Sequence, residues 1–208
     1  MNRVYSDDEG EFLVNLARRT VDQFAQKGTK PPVPDDTPSH LTKKSGVFVT
    51  LNSTSSSENQ LRGCIGRPYP TDPLVQATID SAFDAAANDP RFSPVNEEEL
   101  DSIVIEVSLL TPPKEIECSK PEELIKSVEI GRDGLIVAKG GRRGLLLPQV
   151  PVKWKWDVEE FLRHTCRKAM LPMEAWRDTD TKFMKFQAEI FAETSPRGEV
   201  VRRNDSPK

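Results

Sequence analysis

The chain has 208 residues, 36% of them hydrophobic and 30% charged, which is enough to build one large domain or two small ones. Its net charge of −4 argues against a nucleic-acid-binding protein, because phosphate recognition usually shows as an excess of basic residues. No stretch approaches the roughly 18 apolar residues of a membrane span, and no signal-like apolar core lies near the N-terminus. Three isolated cysteines without a CxxC pair predict a cytoplasmic protein.

The predicted elements begin with a helix. Ser6 and Glu9 form a capping-box pattern at its start, apolar residues recur at helical spacing, and Gly28 ends it. Two antiparallel strands at 47–51 and 61–66 follow, joined by a loop rich in serine and asparagine. An alanine-rich helix then begins around Pro73, where a proline fits the first turn, and it ends before Pro90.

In the second half of the chain, residues 102–110 alternate between apolar and mixed positions, which predicts a strand with Glu106 near its middle. A hairpin over 135–147 has a glycine-rich, basic tip. A helix is predicted from about Asp157 to Ala169, and a last strand over 184–190. The interspersed helices and hairpins predict an α+β fold with largely antiparallel sheet and flanking helices, and residues 194–208 are predicted to be a disordered tail.

The run Leu61-Arg62-Gly63-Cys64-Ile65-Gly66 places one thiol among small, flexible residues. Gly63 and Gly66 permit a bend or a close approach of the backbone, and a bulge at Gly63 would let the Arg62 guanidinium approach the sulfur or a bound anion. A nearby cation would lower the pKa of the thiol and favour the nucleophilic thiolate. The competing interpretation is a buried cysteine that acts as a small hydrophobic residue.

Two further features have a functional and a structural interpretation. In Asn88-Asp89-Pro90-Arg91-Phe92, Arg91 could present an anion-binding fork, or Asp89 could cap backbone N–H groups while Arg91 pairs with it. Glu106, with apolar flanks, could have a raised pKa and act as an acid or base, or it could lie on a solvated face. Neither a metal nor a cofactor is predicted, because the two histidines lack partners at ligand spacing and no glycine-rich phosphate loop is present.

The chain resembles the AMMECR family, named for the Alport syndrome, midface hypoplasia and elliptocytosis chromosomal region. The resemblance covers about residues 6–193, and the run at 61–66 matches its signature without departure. The compact length resembles archaeal or bacterial members. The other segments that carry the resemblance are 46–51, 89–95, 105–110, 144–150 and the helix at 156–171.

The resemblance implies a single domain over residues 1–193, built as two unequal lobes with Cys64 at the cleft between them. It implies that Arg62, Gly63, Gly66, Arg91 and Gln149 line a ligand site there. It carries no established reaction, but it associates prokaryotic members with Memo-like proteins and radical S-adenosylmethionine enzymes.

Two hypotheses follow. In the first, the protein is an enzyme or small-molecule binder centred on Cys64, with Glu106 handling protons. In the second, it is a non-catalytic interaction module that docks a partner, with an apolar patch at Trp154 or Trp156, and the glycine-rich motif is structural. Nucleic-acid binding through the basic hairpin is the weakest alternative.

Overall fold

The computed structural model describes residues 3–55, 60–118 and 120–203. These residues form two compact units, one from the described residues up to Leu110 together with Glu189 onward, and the other from Thr111–Ala188. The first unit is therefore discontinuous in sequence. Each unit combines helices with an antiparallel sheet, so the α+β prediction is confirmed, whereas the cleft between two lobes stays a prediction.

Helices and strands alternate along the described part of the chain. The helices are α1 (Asp7–Lys27), α2 (Leu74–Ala87), α3 (Pro121–Ser127), α4 (Gln149–Trp154) and α5 (Val158–Lys168). The strands are β1 (Gly46–Ser53), β2 (Gln60–Arg67), β3 (Ile103–Leu110), β4 (Lys114–Glu115), β5 (Gly134–Lys139), β6 (Arg142–Leu146), β7 (Lys182–Phe186), β8 (Ala188–Glu193) and β9 (Val200–Arg203). Short 3-10 helices lie at Ser39–Thr42, Glu97–Ser102 and Met173–Arg177.

The discontinuous unit is a five-stranded sheet, in the order β2-β1-β3-β8-β9, with α1 and α2 packed on one face. Alternation along β1 puts Val47, Val49 and Leu51 into the core shared with these helices, so Phe48 and Thr50 point to the opposite face. Among the described residues no helix is long and apolar enough to cross a membrane.

The predicted capping of α1 is confirmed. Ser6 Oγ accepts from the Glu9 N–H, and the Glu9 carboxylate accepts from the Ser6 N–H. Gly28 ends the helix with φ +68°, the left-handed conformation that glycine adopts without steric cost. Inside the unit, α1 is fastened by a buried ion pair in which Arg18 Nε donates to Glu193 Oε1 over 2.9 Å.

The unit formed by Thr111–Ala188 has a four-stranded sheet in the order β4-β7-β5-β6. The predicted hairpin is β5 and β6, and Gly140 and Gly141 make its turn at φ +53° and +79°. The predicted helix from Asp157 is α5, whose N-cap is Asp157 with Glu160 completing a capping box. Phe161, Leu162 and Cys166 of α5 are fully buried against the sheet.

Two predictions about the C-terminal region are wrong. The single strand over 184–190 is two strands, β7 and β8, which belong to different sheets. They separate at Gln187, whose N–H donates to Thr111 Oγ1 while its carbonyl accepts from the Thr111 N–H. The tail predicted to be disordered contains β9 up to Arg203, which pairs with β8, and residues 204–208 lie outside the described part of the chain.

Candidate functional site

The motif at 61–66 lies on β2, which is an edge strand. Its pairing with β1 contains a register shift, since Leu51 pairs with Gly63 but the next residue of β1, Asn52, pairs with Leu61. Arg62 is therefore the extra residue of a β-bulge, and the bulge anticipated from Gly63 is present. It does not bring Arg62 to the sulfur.

Arg62 forms a forked ion pair with Glu99, from Nε to Oε1 at 2.6 Å and from Nη2 to Oε2 at 3.0 Å. This contact lowers the pKa of the Glu99 carboxyl. The guanidinium also lies 5.9 Å from the Phe92 ring centroid. Its Nη1 is buried and has no hydrogen-bond partner among the described residues, so one donor of Arg62 remains unused.

Both glycines of the motif lie at close packing contacts. A Cβ at Gly63 would lie 2.2 Å from the carbonyl oxygen of Ala85, so the backbone of α2 rests directly on β2. A Cβ at Gly66 would lie 2.2 Å from the ring of Phe48, which packs on the opposite face of the strand. The two glycines thus let neighbours approach β2 from both sides.

The Asp89 carboxylate, in the turn after α2, forms hydrogen bonds to the backbone of Cys64 on β2 and to Arg91. Its Oδ2 accepts from the Cys64 N–H at 2.8 Å, and its Oδ1 accepts from the Arg91 N–H at 3.1 Å. Arg91 adds two side-chain bonds to the same carboxylate, and its Nη2 also donates to the Cys64 carbonyl at 3.1 Å. The guanidinium of Arg91 holds the pKa of Asp89 well below its usual range.

The structural interpretation of 88–92 is thereby confirmed for Asp89 and Arg91. Phe92, which the same interpretation placed in the core, is only half-buried, and Arg91 lies over its ring at 5.5 Å. The side chain of Arg91 is 52% exposed, so it retains access to solvent while it holds Asp89.

The Cys64 side chain belongs to a row of polar groups that crosses three strands. Thr50 pairs with Cys64 on β2 and with Glu106 on β3, so all three side chains lie on the sheet face opposite α1 and α2. Thr50 Oγ1 donates to Cys64 Sγ at 3.3 Å. Arg203 on β9 extends the row, since its Nη1 donates to Glu106 Oε2 at 3.3 Å. We call Cys64, Thr50 and Glu106 the polar row.

Burial raises the pKa of the Cys64 thiol. The Thr50 hydrogen bond and the Arg91 charge act to lower it, but the carboxylates of Asp89 and Glu106 act with burial. The thiolate expected from a nearby cation is therefore not the resting form at neutral pH. Cys166 is more strongly affected, since burial raises the pKa of its thiol to about 11.

The remaining predicted site residues are placed differently. The Glu106 side chain is 15% exposed, so the interpretation of a solvated face is wrong. Gln149 begins α4 in the other unit, and its buried Oε1 has no partner among the described residues. Its role in a ligand site with Cys64 stays a prediction.

Thr50 and Arg203 were not predicted from the sequence. No group of three or more metal-ligating side chains occurs in the described ranges.

Comparison with known proteins decides the family. The model of the AMMECR1 family matches residues 14–191. The chain belongs to the AMMECR1 family. A protein of Pyrococcus abyssi is 55% identical over 95% of this chain and 97% of its own length. A protein of Methanocaldococcus jannaschii is 47% identical over 97% of this chain and 98% of its own.

A solved structure shares the fold. It is the crystal structure of an uncharacterized protein from Pyrococcus horikoshii, with a TM-score of 0.87 and 55% identity over 95% of this chain and 98% of that one. The predicted membership of the AMMECR family is confirmed, and these relatives are archaeal, which is consistent with the prediction of an archaeal or bacterial member.

Proposed function

We propose that this AMMECR1-family protein binds a small molecule at the polar row. The observation that carries the proposal is the cross-strand register, which sets a thiol, a hydroxyl and a carboxylate side by side on one sheet face. Three apolar side chains on the same face, Val104, Leu110 and Ile190, are each at most 5% exposed. A few convergent polar groups on an apolar surface are the usual composition of a ligand site.

The thiol of this site is neutral at rest, because burial raises the pKa of Cys64. Cys64 therefore meets a ligand as a small, polarisable group with a weak S–H donor, and Glu106 supplies the acceptor. Nucleophilic attack by Cys64 would first need its proton removed, and Glu106 is the carboxylate of the row that could receive it. The half-exposed guanidinium of Arg91, at the backbone of Cys64, is suited to an anionic group of the ligand.

The test is residue-resolved thiol labelling of the native protein against pH, with a small alkylating reagent and mass spectrometry. Exposed Cys118 and buried Cys166 are internal controls for the fastest and slowest reactions. Cys64 should react between them, with an apparent pKa above that of a free cysteine. Labelling of Cys64 only after unfolding would contradict the proposal, since a site that small reagents cannot enter cannot admit a ligand.

Two substitutions make the test specific to the polar row. Glu106→Gln removes a negative charge that raises the pKa of Cys64, so labelling at a fixed pH should become faster. Thr50→Val removes the hydrogen bond that lowers this pKa, so labelling should become slower. If the labelling rate of Cys64 changed in the same direction in both variants, the cause would be altered access of the reagent and not the interactions within the polar row.

A second candidate function is docking of a protein partner, and one observation favours it. Trp154 at the end of α4 is 63% exposed, whereas its neighbour Trp156 is occupied by a parallel stack on His164 at 3.9 Å. An exposed tryptophan is a common anchor of protein interfaces. The partners implied by the family resemblance are a Memo-like protein and a radical S-adenosylmethionine enzyme.

Docking is tested by mixing the purified chain with each of these two proteins from the same genome and measuring co-elution. Trp154→Ala should abolish any complex, while Cys64→Ala should leave it intact. A complex that depends on Cys64 and not on Trp154 would reverse this assignment.

A further inference from the structure

A cavity of about 550 Å³ lies wholly within the unit formed by Thr111–Ala188. It is bounded by β4, the start of α3, the 3-10 helix Met173–Arg177 and β7. Its volume falls within the roughly 300–1,000 Å³ of small-molecule sites. None of its lining residues belongs to the polar row, so it is independent of the function proposed above.

The apolar part of the lining comes from the core of this unit. Leu124, Trp176 and Phe183 line the cavity and belong to the core of this unit, each at most 4% exposed. Ile116, half-buried, adds a further apolar side chain. The core of the unit thus forms one side of the cavity.

Two polar atoms of the lining residues lack partners. Trp176 Nε1 and Thr181 Oγ1 are both buried, and neither forms a hydrogen bond to any residue that the structure describes. An indole N–H can only donate, so Trp176 needs an acceptor, while a threonine hydroxyl can donate and accept. Leaving such groups unsatisfied costs about 1–3 kcal/mol each. A polar ligand group that displaces the side chains covering these two atoms would satisfy both.

The charged residues around the cavity are largely engaged with each other or with neighbours. Lys182 pairs with Glu115 at 3.1 Å, and Asp178 pairs with Lys139 at 2.6 Å. Arg177 pairs with Glu159 at 3.1 Å. Since these four charges already have counterions, they favour neither an anionic nor a cationic ligand; Glu117, Lys120 and Glu123 complete the charged part of the lining.

We propose that this cavity binds an uncharged small molecule that has a ring-sized apolar body and a carbonyl or amide group. The carbonyl oxygen accepts from Trp176 Nε1–H, and the amide N–H donates to Thr181 Oγ1. The ring packs against Leu124 and Phe183. Benzamide has this composition and serves as the probe, with benzoate and benzylamine as its charged counterparts.

The experiment titrates each probe into 15N-labelled full-length protein and follows the indole N–H signals of its three tryptophans. Benzamide should move the Trp176 signal saturably and leave that of exposed Trp154 unchanged. Thr181→Val, which keeps the side-chain shape, should weaken benzamide binding about threefold to tenfold. Benzoate and benzylamine should bind more weakly than benzamide.

Alkylation of Cys118 supplies a second readout, because Cys118 is exposed and lines the cavity. Saturating benzamide should slow its reaction with iodoacetamide without changing the rate at Cys64. The proposal is overturned if no probe moves the Trp176 signal, if Thr181→Val binds benzamide as well as the native chain, or if a charged probe binds best. Such a failure leaves the polar row untouched, since the two sites share no residue.

Discussion

Gly63→Ala tests whether the motif is shaped by the packing of α2 on β2. The new Cβ would lie 2.2 Å from the Ala85 carbonyl oxygen and 3.2 Å from its carbonyl carbon. Because both atoms belong to the backbone, strand and helix must separate by more than 1 Å to reach the ordinary contact of roughly 3.5 Å. Overpacking of this kind costs about 3 kcal/mol, and the stiffer unfolded chain returns about 0.5–1 kcal/mol. The expected net loss of about 2 kcal/mol corresponds to a Tm about 4–8 °C lower.

The assay is thermal unfolding followed by circular dichroism at neutral pH. Gly66→Ala is the matched control on the same strand, because its Cβ would meet the ring of half-buried Phe48, a side chain that can turn aside. It should cost less than half as much as Gly63→Ala. The reasoning is refuted if Gly63→Ala lowers Tm by less than about 1 °C, or if Gly66→Ala is the more destabilising change.

Three further predictions concern ion pairs and caps. Asp89→Asn should lower stability by about 1–3 kcal/mol at pH 7, because the bonds to Cys64 and Arg91 weaken. The pKa of Asp89 is lowered in the folded state, so the stability that its carboxylate contributes is fully present above about pH 4 and is lost as pH falls further. The Tm values of the native chain and Asp89→Asn should therefore converge between pH 7 and pH 2. Glu193→Gln should cost about 3–5 kcal/mol in urea unfolding, because it removes the buried carboxylate bonded to Arg18 and leaves only the longer ion-pair contact to Asp22 at 3.8 Å; a loss under 1 kcal/mol would contradict this. Ser6→Ala should cost about 1 kcal/mol. The same loss after Ser93→Ala, at an exposed position outside the helices, would mean that the cap is not its cause.

Local signals predicted most of the fold. The capping box at Ser6, the stop at Gly28, the helical periodicity from about Asp157 and the alternation over 102–110 each act within a few neighbouring residues, and the corresponding elements are present. Gln187 shows where such signals end. Apolar alternation continues across it from β7 into β8, so nothing local distinguishes one long strand from two strands in different sheets.

The candidate site depended more on long-range pairing. The sequence drew attention to Cys64 and to Asp89, and the structure joins them through the Cys64 N–H. Thr50 was missed because its place beside Cys64 depends on the register of β1 and β2, which the loop between them leaves open. Arg203 was missed because a short polar strand near a chain end has the composition of a tail. Arg62 is a residue type that often binds anions, but in the structure its guanidinium pairs with Glu99, which is 37 residues away in the sequence.

Because Thr111–Ala188 interrupts the first unit, the two parts of that unit are synthesised at different times. When Leu110 leaves the ribosome, β3 is the temporary edge of a three-stranded sheet, and its neighbour β8 has not yet been made. At about 5–20 residues per second, Glu193 follows on the order of 4–17 s later. Arg18 precedes Glu193 by 175 residues, so it waits roughly 9–35 s for its buried counterion. The inserted unit is contiguous and can complete its own core within this interval. The nascent chain therefore exposes the unpaired edge of β3 during translation, when it can pair with a strand of another chain.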